Sequence, residues 1–370
     1  MKIKIINGSV YDPKCCLFQK KDLYIASGKL ISDITESEID IMINATDKIV
    51  TSGLVDMHVH SFPFKADIGI DVDTVGLYNG SSIIVDAGSS GCNDFAQFIE
   101  YAQCGQTKMY AFINYSSIGL TQGGKELSSD TFVDEEKLEE TIKAYSDVIK
   151  GIKLRASQSV VGNLDMKPLI AGKSFAKKMG LPVMIHVGNF PPKLEDILEI
   201  VEKGDIITHC FHGKEGGILD GNGKVKEIVL KKQREGVLFD VGHGAASFNF
   251  NVAQKAIKQG FLPYTISTDI HKRNYHTKVF DLSDVLSKMV GCGMSEIEAL
   301  NAVTINPRNI LGVNCCLEEN DIADICLISK IDKLKTFTDS DGNKLSVDGY
   351  YQTDMIINGD KVIGVKINDK

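Results

Sequence analysis

The stretch Thr51-Ser52-Gly53-Leu54-Val55-Asp56-Met57-His58-Val59-His60 decides the fold, because a short apolar run ends there in two histidines one residue apart. Side chains along a strand alternate between its two faces, so His58 and His60 lie on the same face. Two imidazoles on one face can bind a single metal ion. A His-x-His motif is weak evidence by itself, so the interpretation depends on its surroundings.

Apolar runs of this kind recur along the chain with helical patterns between them. The predicted strands cover residues 54–60, 82–88, 109–115, 149–155, 182–187, 206–211, 237–241 and 264–269. Helices are predicted over residues 134–148, 194–202 and 248–258, and a capping box of Ser295 and Glu298 begins the last helical region. Apolar strands separated by helices are typical of βαβ units with a parallel sheet. Eight such units predict an α/β fold, the (β/α)8 TIM barrel.

Short alternating runs at both ends of the chain predict further β-strands. We expect the two ends to complete one small β-sandwich-like domain, composed of residues 1–52 plus 312–370. Residues 53–311 then form the barrel, which carries the chemistry. The glycine-rich stretch 213–223 predicts a mobile loop after the sixth strand.

Composition argues against several classes of protein. The net charge of −8 and the pI near 5.6 disfavour nucleic acid as a partner, because phosphate binding usually requires a concentrated basic face. No apolar run approaches the roughly 20 residues that span a bilayer, so we expect no membrane role. The amino terminus lacks the pattern of an export signal, and the nine cysteines lack CxxC spacing. We expect a cytoplasmic protein that acts on a small molecule; a homo-oligomer is left open.

Polar residues fall where a barrel places its functional groups, at the carboxyl ends of the strands. The fifth strand contains His186, the sixth carries His209, and the eighth ends at Asp269. Lys153 lies inside the apolar fourth strand, where an ammonium group without a partner is costly. Any one of these residues could simply cap a strand. Their joint occurrence favours a metal site.

Taken together, these residues resemble the amidohydrolase superfamily over nearly the whole chain. The resemblance includes residues 51–56 and the segment Thr304-Ile305-Asn306-Pro307-Arg308. Residues 151–156 and 240–244 are similar to the binuclear-metal subgroup of dihydroorotase-like proteins and acyl deacetylases. The resemblance implies that one divalent metal ion binds His58, His60 and Asp269, that a second binds His186 and His209, and that a carbamylated (N6-carboxy) Lys153 bridges them.

The resemblance also implies a mechanism. A carbamate would turn a buried cation into an anionic ligand suited to two dications. Zinc is the favoured metal, although manganese, iron and cobalt bind the same ligand types. A metal-bridging hydroxide would attack the substrate, with Asp269 as the acid/base. The implied reaction is hydrolysis of an amide or ester: deacetylation of an N-acyl amino acid or O-acyl hydroxy acid, or dihydroorotase-like opening of a cyclic amide.

Three features near the mouth are candidates for substrate contact. Arg155, two residues after Lys153, could hold a substrate carboxylate or form a structural salt bridge. His243, just after the seventh strand, could contact the substrate or stabilise an oxyanion, or it could support the site from behind. Residues 271–273, His-Lys-Arg, could form a rim for an anionic substrate or lie in solvent.

Three other functions are weighed against hydrolysis. A purine-type deaminase uses similar metal chemistry, although Lys153 argues against the one-metal form. A non-catalytic scaffold with the same barrel is disfavoured by the full set of ligands. A thiol enzyme using Cys210 or Cys92 lacks a recognisable nucleophile motif. Cys210, His212 and His276 are interpreted as structural.

Overall fold

The computed structural model describes residues 1–315 and 317–365. Its strands are β1 (Lys2–Ile6), β2 (Ser9–Asp12), β3 (Leu17–Lys20), β4 (Leu23–Ala26), β5 (Lys29–Ile31), β6 (Ile41–Asn44), β7 (Lys48–Ser52), β8 (Val55–Val59), β9 (Ile83–Ala87), β10 (Lys108–Asn114), β11 (Ile149–Ala156), β12 (Val183–Val187), β13 (Ile206–Thr208), β14 (Leu238–Asp240), β15 (Asp324–Thr338), β16 (Lys344–Asn358) and β17 (Lys361–Gly364). Its α-helices are α1 (Val72–Val75), α2 (Phe95–Ala102), α3 (Glu135–Ala144), α4 (Gln158–Val161), α5 (Lys167–Met179), α6 (Leu194–Ile200), α7 (Glu227–Arg234), α8 (Phe250–Lys258), α9 (Leu282–Gly291), α10 (Glu296–Val303) and α11 (Ile305–Leu311).

The central sheet consists of β8 to β14, and each strand pairs in parallel with the next one along the chain. Strands β8 and β9 are buried at every position, which explains their continuous apolar sequence. Strands of this sheet alternate with helices, as in α5 between β11 and β12. The predicted barrel architecture is confirmed, and the carboxyl ends of its strands form one mouth.

The predicted eighth strand, residues 264–269, is not a regular strand, yet it still closes the barrel. It lies between β14 and β8, with single parallel bridges from Asp240 to Thr265 and from Val59 to Ile270. The Thr265 hydroxyl donates to the Asp240 carboxylate at 2.7 Å, and Asp269 has a left-handed φ of 49°. Side-chain hydrogen bonds therefore replace part of the ladder, and a local turn aims Asp269 at the mouth.

The other barrel elements follow the sequence with shifted ends. The predicted helix 134–148 is α3, which begins after Asp134, whose side chain accepts a hydrogen bond from Lys137 N, and ends four residues early. The capping box of Ser295 and Glu298 is present at the start of α10. Strand β13 stops at Thr208 instead of 211, because His209 takes a left-handed φ of 69°.

Both chain ends contribute to the terminal β-structure, as expected. Strand β7 pairs with β15 in a six-stranded sheet, and β1 lies in a second, four-stranded sheet. Ile3, Ile25, Val50, Ile325 and Ile357 belong to one buried cluster that both sheets share. This arrangement is the predicted sandwich, whereas the domain boundaries at residues 52 and 312 stay a prediction.

The β15–β16 hairpin is much longer than the sequence indicated, with 15 residues in each strand. Its far half is mostly solvent-exposed, so it lacks the apolar alternation that marks a half-buried strand. The turn at its tip contacts the barrel: Phe250 N donates to the Asp339 carboxylate at 2.9 Å. Ser340 Oγ donates to the carbonyl of Gly244 at 3.1 Å. The C-terminal region therefore reaches the mouth.

None of the helices formed by the described residues is both long and apolar enough to cross a membrane.

Candidate metal centre

Three histidines from two parts of the barrel converge on Asp269. The Nε2 atoms of His58 and His60 lie 3.4 and 3.3 Å from its Oδ1 atom, so both rings of the His-x-His motif reach one oxygen. His209 Nε2 lies 4.0 Å from Oδ2. His58, His209 and Asp269 offer ligand atoms that all lie within 4.8 Å of one another. These residues form a cluster that can hold a metal ion.

The Nδ1 atoms of His58 and His209 are hydrogen-bonded, which leaves the lone pair of each Nε2 atom free to bind a metal ion. His58 Nδ1 lies 3.0 Å from the hydroxyl of Thr208, which itself donates to Asp240 at 2.7 Å. That hydroxyl therefore accepts from His58. His209 Nδ1 lies 2.6 Å from the carbonyl oxygen of Gly242, which can only accept. Metal-binding histidines typically donate their second nitrogen in this way.

His209 Nε2 is buried and has no hydrogen-bond partner among the described residues. A buried nitrogen without a hydrogen-bond partner is rare in a protein interior, and its free lone pair suits a metal ligand. Burial lowers the pKa of His209 to about 3, so its ring is neutral and able to coordinate a metal. His186 is close by, with its ring centroid 4.3 Å from that of His209. The residues present therefore fit a metal ion.

Lys153 lies at the bottom of the mouth with 1% of its surface exposed. Its Nζ atom contacts His58 Nε2 and the sulfur of Met184, each at 3.3 Å. Within residues 1–315 and 317–365, no carboxylate comes within ion-pairing distance of it. Burial lowers the pKa of Lys153 to about 7, so a substantial fraction of the amine is neutral near neutral pH. The unusual position that the sequence indicated is confirmed.

A cavity of about 220 Å³ opens above these groups, and Arg155 lies in its wall. Arg155 Nη1 donates to both oxygens of Glu126, at 3.0 and 3.2 Å. Glu126 is buried while Arg155 is partly exposed. Arg155 thus forms a salt bridge and also lines the cavity, whereas its contact with a substrate carboxylate stays a prediction.

His243 lies behind the mouth, fully buried. Its Nδ1 atom is 3.0 Å from the Gly244 carbonyl, and its Nε2 atom is 3.1 Å from Nζ of Lys288. Its ring stacks on Phe248. Direct contact with substrate stays a prediction, but both ring nitrogens already have partners. Gly244 is the closer neighbour of the cluster, since a Cβ there would lie 2.5 Å from Asp269 Oδ2.

The other residues considered in the sequence differ in whether they reach the cavity. His271 lines the cavity, whereas Lys272 and Arg273 are exposed and do not line it. Burial raises the pKa of the Cys210 thiol well above its usual range, which does not suit a nucleophile. His212 is buried, and its Nδ1 accepts from Lys214 N at 3.2 Å.

Sequence reasoning missed the residues that orient the others. These are Thr208 and Asp240 behind His58, Ser89 at 3.0 Å from His60, Glu126 beside Arg155, and Lys288 behind His243. The available signal was a polar residue inside an apolar strand, which applies to Thr208 and Asp240. Glu126 and Lys288 lie in a loop and a helix, where such residues are ordinary.

The barrel and the His–His–Asp cluster at its mouth define a metal-dependent hydrolase. The sequence profile of the Amidohydrolase family matches residues 49–359, and the chain belongs to this family. The fold class and the enzyme class inferred from the sequence are thereby confirmed.

Similar proteins narrow the subgroup. The chain is 36% identical to a deacetylase of Brucella anthropi over 299 residues, which are 80% of this chain and 74% of that protein. It is 35% identical to a deacetylase of Enterococcus faecalis over 298 residues, 79% of this chain and 80% of that protein. Its structure is similar to crystal structures of a dihydroorotase (TM-score 0.93, 31% identity, 98% of each chain) and of an adenine deaminase (TM-score 0.91, 31% identity, 98% of this chain and 99% of that one). The predicted resemblance to this subgroup is confirmed.

Proposed function

We propose that this protein is a two-metal hydrolase that removes a short acyl group from an N-acyl amino acid or an O-acyl hydroxy acid. The observation that carries the proposal is the buried, unpartnered Nε2 atom of His209, which faces Asp269 beside the rings of His58 and His60. The names of the similar Brucella and Enterococcus proteins support the choice of deacetylation.

His58, His60 and Asp269 would hold one divalent ion, and His186 and His209 the second, with zinc favoured by the imidazole and oxygen donors. Lys153 would bridge them as a carbamate. Its neutral amine attacks the carbon of carbon dioxide, a nitrogen–carbon bond forms, and one proton is released. The product is anionic, which removes the difficulty of an ammonium group with no carboxylate beside it.

When bound, the metal pair would activate water and polarise the scissile carbonyl. Asp269 is placed to move the proton, because its carboxylate lies at the mouth and is 8% exposed. It takes a proton from the attacking water and delivers it to the leaving nitrogen or oxygen. Arg155 lines the same cavity as this carboxylate and would orient the substrate.

Two related reactions remain candidates. Ring opening of a cyclic amide uses the same groups and is supported by the similarity to a dihydroorotase. Deamination of a purine-like ring is supported by the similarity to an adenine deaminase. A neutral purine, however, carries no negative charge to balance the cations of Arg155 and Lys214 in the cavity wall. An acid-bearing substrate suits this cavity better.

Metal and carbon dioxide content test the centre directly. We expect about two metal ions and one bound carbon dioxide per chain in the wild type, and loss of the carbon dioxide with at least one metal in Lys153→Ala. Lys150→Ala is the matched control, because Lys150 lies on the same strand and stacks over Tyr110 instead of facing the mouth. One metal or none, unchanged by Lys153→Ala, would contradict the bridging role.

The products then identify the reaction. Metal-loaded protein is incubated with acetylated amino acids, acetylated hydroxy acids, cyclic amides and aminopurines. Acetate release supports the proposal, ring opening or ammonia release supports a related reaction, and a loaded protein with no turnover on any class indicates a scaffold.

A further inference from the structure

We propose that Lys214 and Arg155 form an anion subsite that holds a carboxylate of the substrate, with Lys214 as its determining charge. The inference rests on the proposed function and names its substrate class. Both side chains line the 220 Å³ cavity that also contains His60, His186 and Asp269. A carboxylate between the two cations would place the remainder of a small molecule over the metal ligands.

The charge of Arg155 is already balanced. Its Nη1 atom donates to both oxygens of Glu126, which is 1% exposed and ionically paired with no other residue of the described chain. Nε and Nη2 make no hydrogen bond to those residues, so the guanidinium can still donate to a ligand. Arg155 therefore supplies directed donors and little net charge.

Lys214 supplies the charge. Its ammonium group makes no hydrogen bond or ion pair with residues 1–315 or 317–365, although the side chain is partly buried. Burial lowers the pKa of Lys214, and the carboxylates of Asp341 and Asp269 partly oppose that shift from beyond ion-pairing distance. An unpaired cation in a recessed wall is unfavourable when the cavity is empty and favourable when an anion enters.

Two contacts anchor the start of the loop that carries Lys214, whereas the mobility of the rest of stretch 213–223 stays a prediction. Lys214 N donates to His212 Nδ1 at 3.2 Å, only three residues after the proposed ligand His209. Gly213 packs so closely on the hairpin tip that a Cβ there would lie 2.2 Å from Asp341 Oδ2. Asp341 itself accepts from Asn249 at 2.7 Å, and it does not come within 4 Å of the Lys214 ammonium. The hairpin thus positions the cation without forming a direct ion pair with it.

The size of the cavity limits the substrate. A volume of about 220 Å³ is below the roughly 300–1,000 Å³ of pockets for drug-sized ligands. It suits a short acyl group joined to a small acid with one carboxylate.

The test compares each acetylated amino acid and hydroxy acid with its neutral primary amide. In Lys214→Gln we expect KM for the acids to rise about tenfold, a loss of about 1.4 kcal/mol, while kcat/KM for the amides changes less than twofold. Lys224→Gln is the control: Lys224 lies directly after the glycine-rich stretch 213–223, is exposed, and does not line the cavity. It removes the same charge and should change neither series. Lys214→Arg should retain most of the preference for acids.

Equal losses for acids and amides, no effect of Lys214→Gln, or the same effect in Lys224→Gln would overturn the subsite and leave the hydrolase proposal standing. If the wild type hydrolyses none of these compounds, the proposed function fails, and calorimetry with the same acids and amides decides the subsite separately. Tighter binding of the acids that disappears in Lys214→Gln supports it, and equal binding of acids and amides refutes it.

Discussion

Substitution of Lys288 by methionine tests how the wall behind the mouth is held together. Lys288 lies on α9 with 1% of its surface exposed. Its Nζ atom lies 3.0 Å from Asp284 Oδ2, 3.1 Å from His243 Nε2 and 3.1 Å from the carbonyl of Lys278. Nζ therefore donates hydrogen bonds to His243 and to the Lys278 carbonyl and forms an ion pair with Asp284, and methionine keeps the length of the side chain while it removes every donor.

The magnitude follows from what remains buried. Removing one partner of a buried ion pair typically destabilises a protein by about 3–5 kcal/mol, because the other charge stays desolvated. Asp284 retains one distant partner, since Lys335 lies 3.6 Å from its Oδ1 atom and is 42% exposed. An exposed pair of that kind contributes less than about 1 kcal/mol. We expect the free energy of unfolding to fall by about 3 kcal/mol.

Equilibrium urea unfolding at fixed metal concentration measures the change. Lys335→Met is the control and should cost less than about 1 kcal/mol. The double variant Lys288→Met with Asp284→Leu removes both charges and should recover most of the loss. If Lys288→Met lowers the free energy of unfolding by less than about 1 kcal/mol, or if the double variant is less stable than Lys288→Met, the stabilising role of the buried pair is refuted.

Three further predictions concern the metal cluster. At constant dissolved carbon dioxide, carbon dioxide uptake by the metal-free protein should increase as pH rises through about 7 and then level off, because only the neutral amine of Lys153 reacts. Binding of isotope-labelled carbon dioxide measures the uptake. Uptake that stays constant from pH 6 to 9 would count against carbamylation of Lys153. Thr208→Val removes the hydroxyl that orients His58, so metal affinity should fall about 10–100-fold. Competition with a chelator measures the affinity, and an unchanged value would show that the Thr208 contact does not contribute to metal binding. Gly244→Ala places a Cβ 2.5 Å from Asp269 Oδ2, and residue 244 has a left-handed φ of +58°. We expect kcat to fall about tenfold or more while the circular dichroism spectrum stays unchanged. Full activity would contradict the proposed position of the Asp269 carboxylate.

The sequence predicted the barrel well because seven of its strands are buried on both faces. Such strands are continuous apolar runs, and a polar residue at their carboxyl end stands out, as His186 does after Val183-Met184-Ile185. The eighth strand, residues 264–269, was predicted as one of these apolar runs, although Ile266 is flanked by polar residues. The structure instead holds this segment through side chains: the hydroxyls of Thr265 and Ser267 donate to Asp240, and Thr268 N donates to Asp56. No periodicity in the sequence reports these contacts.

The support for the site could not be predicted, because it depends on contacts between distant residues. Glu126 is 29 residues from Arg155 along the chain, and Lys288 is 45 residues from His243. Each is an ordinary charged residue in its own segment. Only the fold shows that the first is buried against a cavity-lining arginine and that the second donates into the wall of the mouth.

The long hairpin makes the terminal region part of the catalytic architecture. Ser340 at its tip donates to the carbonyl of Gly244, the residue that lies against Asp269, and Asp339 accepts from the first backbone N–H of α8. Asp341 at the same tip contacts Gly213, directly before Lys214. One turn therefore contacts both the loop beside Asp269, the proposed acid/base, and the loop that carries Lys214, the proposed anion-binding cation. Since specificity in a barrel depends on the loops after its strands, this contact ties substrate choice to a segment about 70 residues beyond the last ligand.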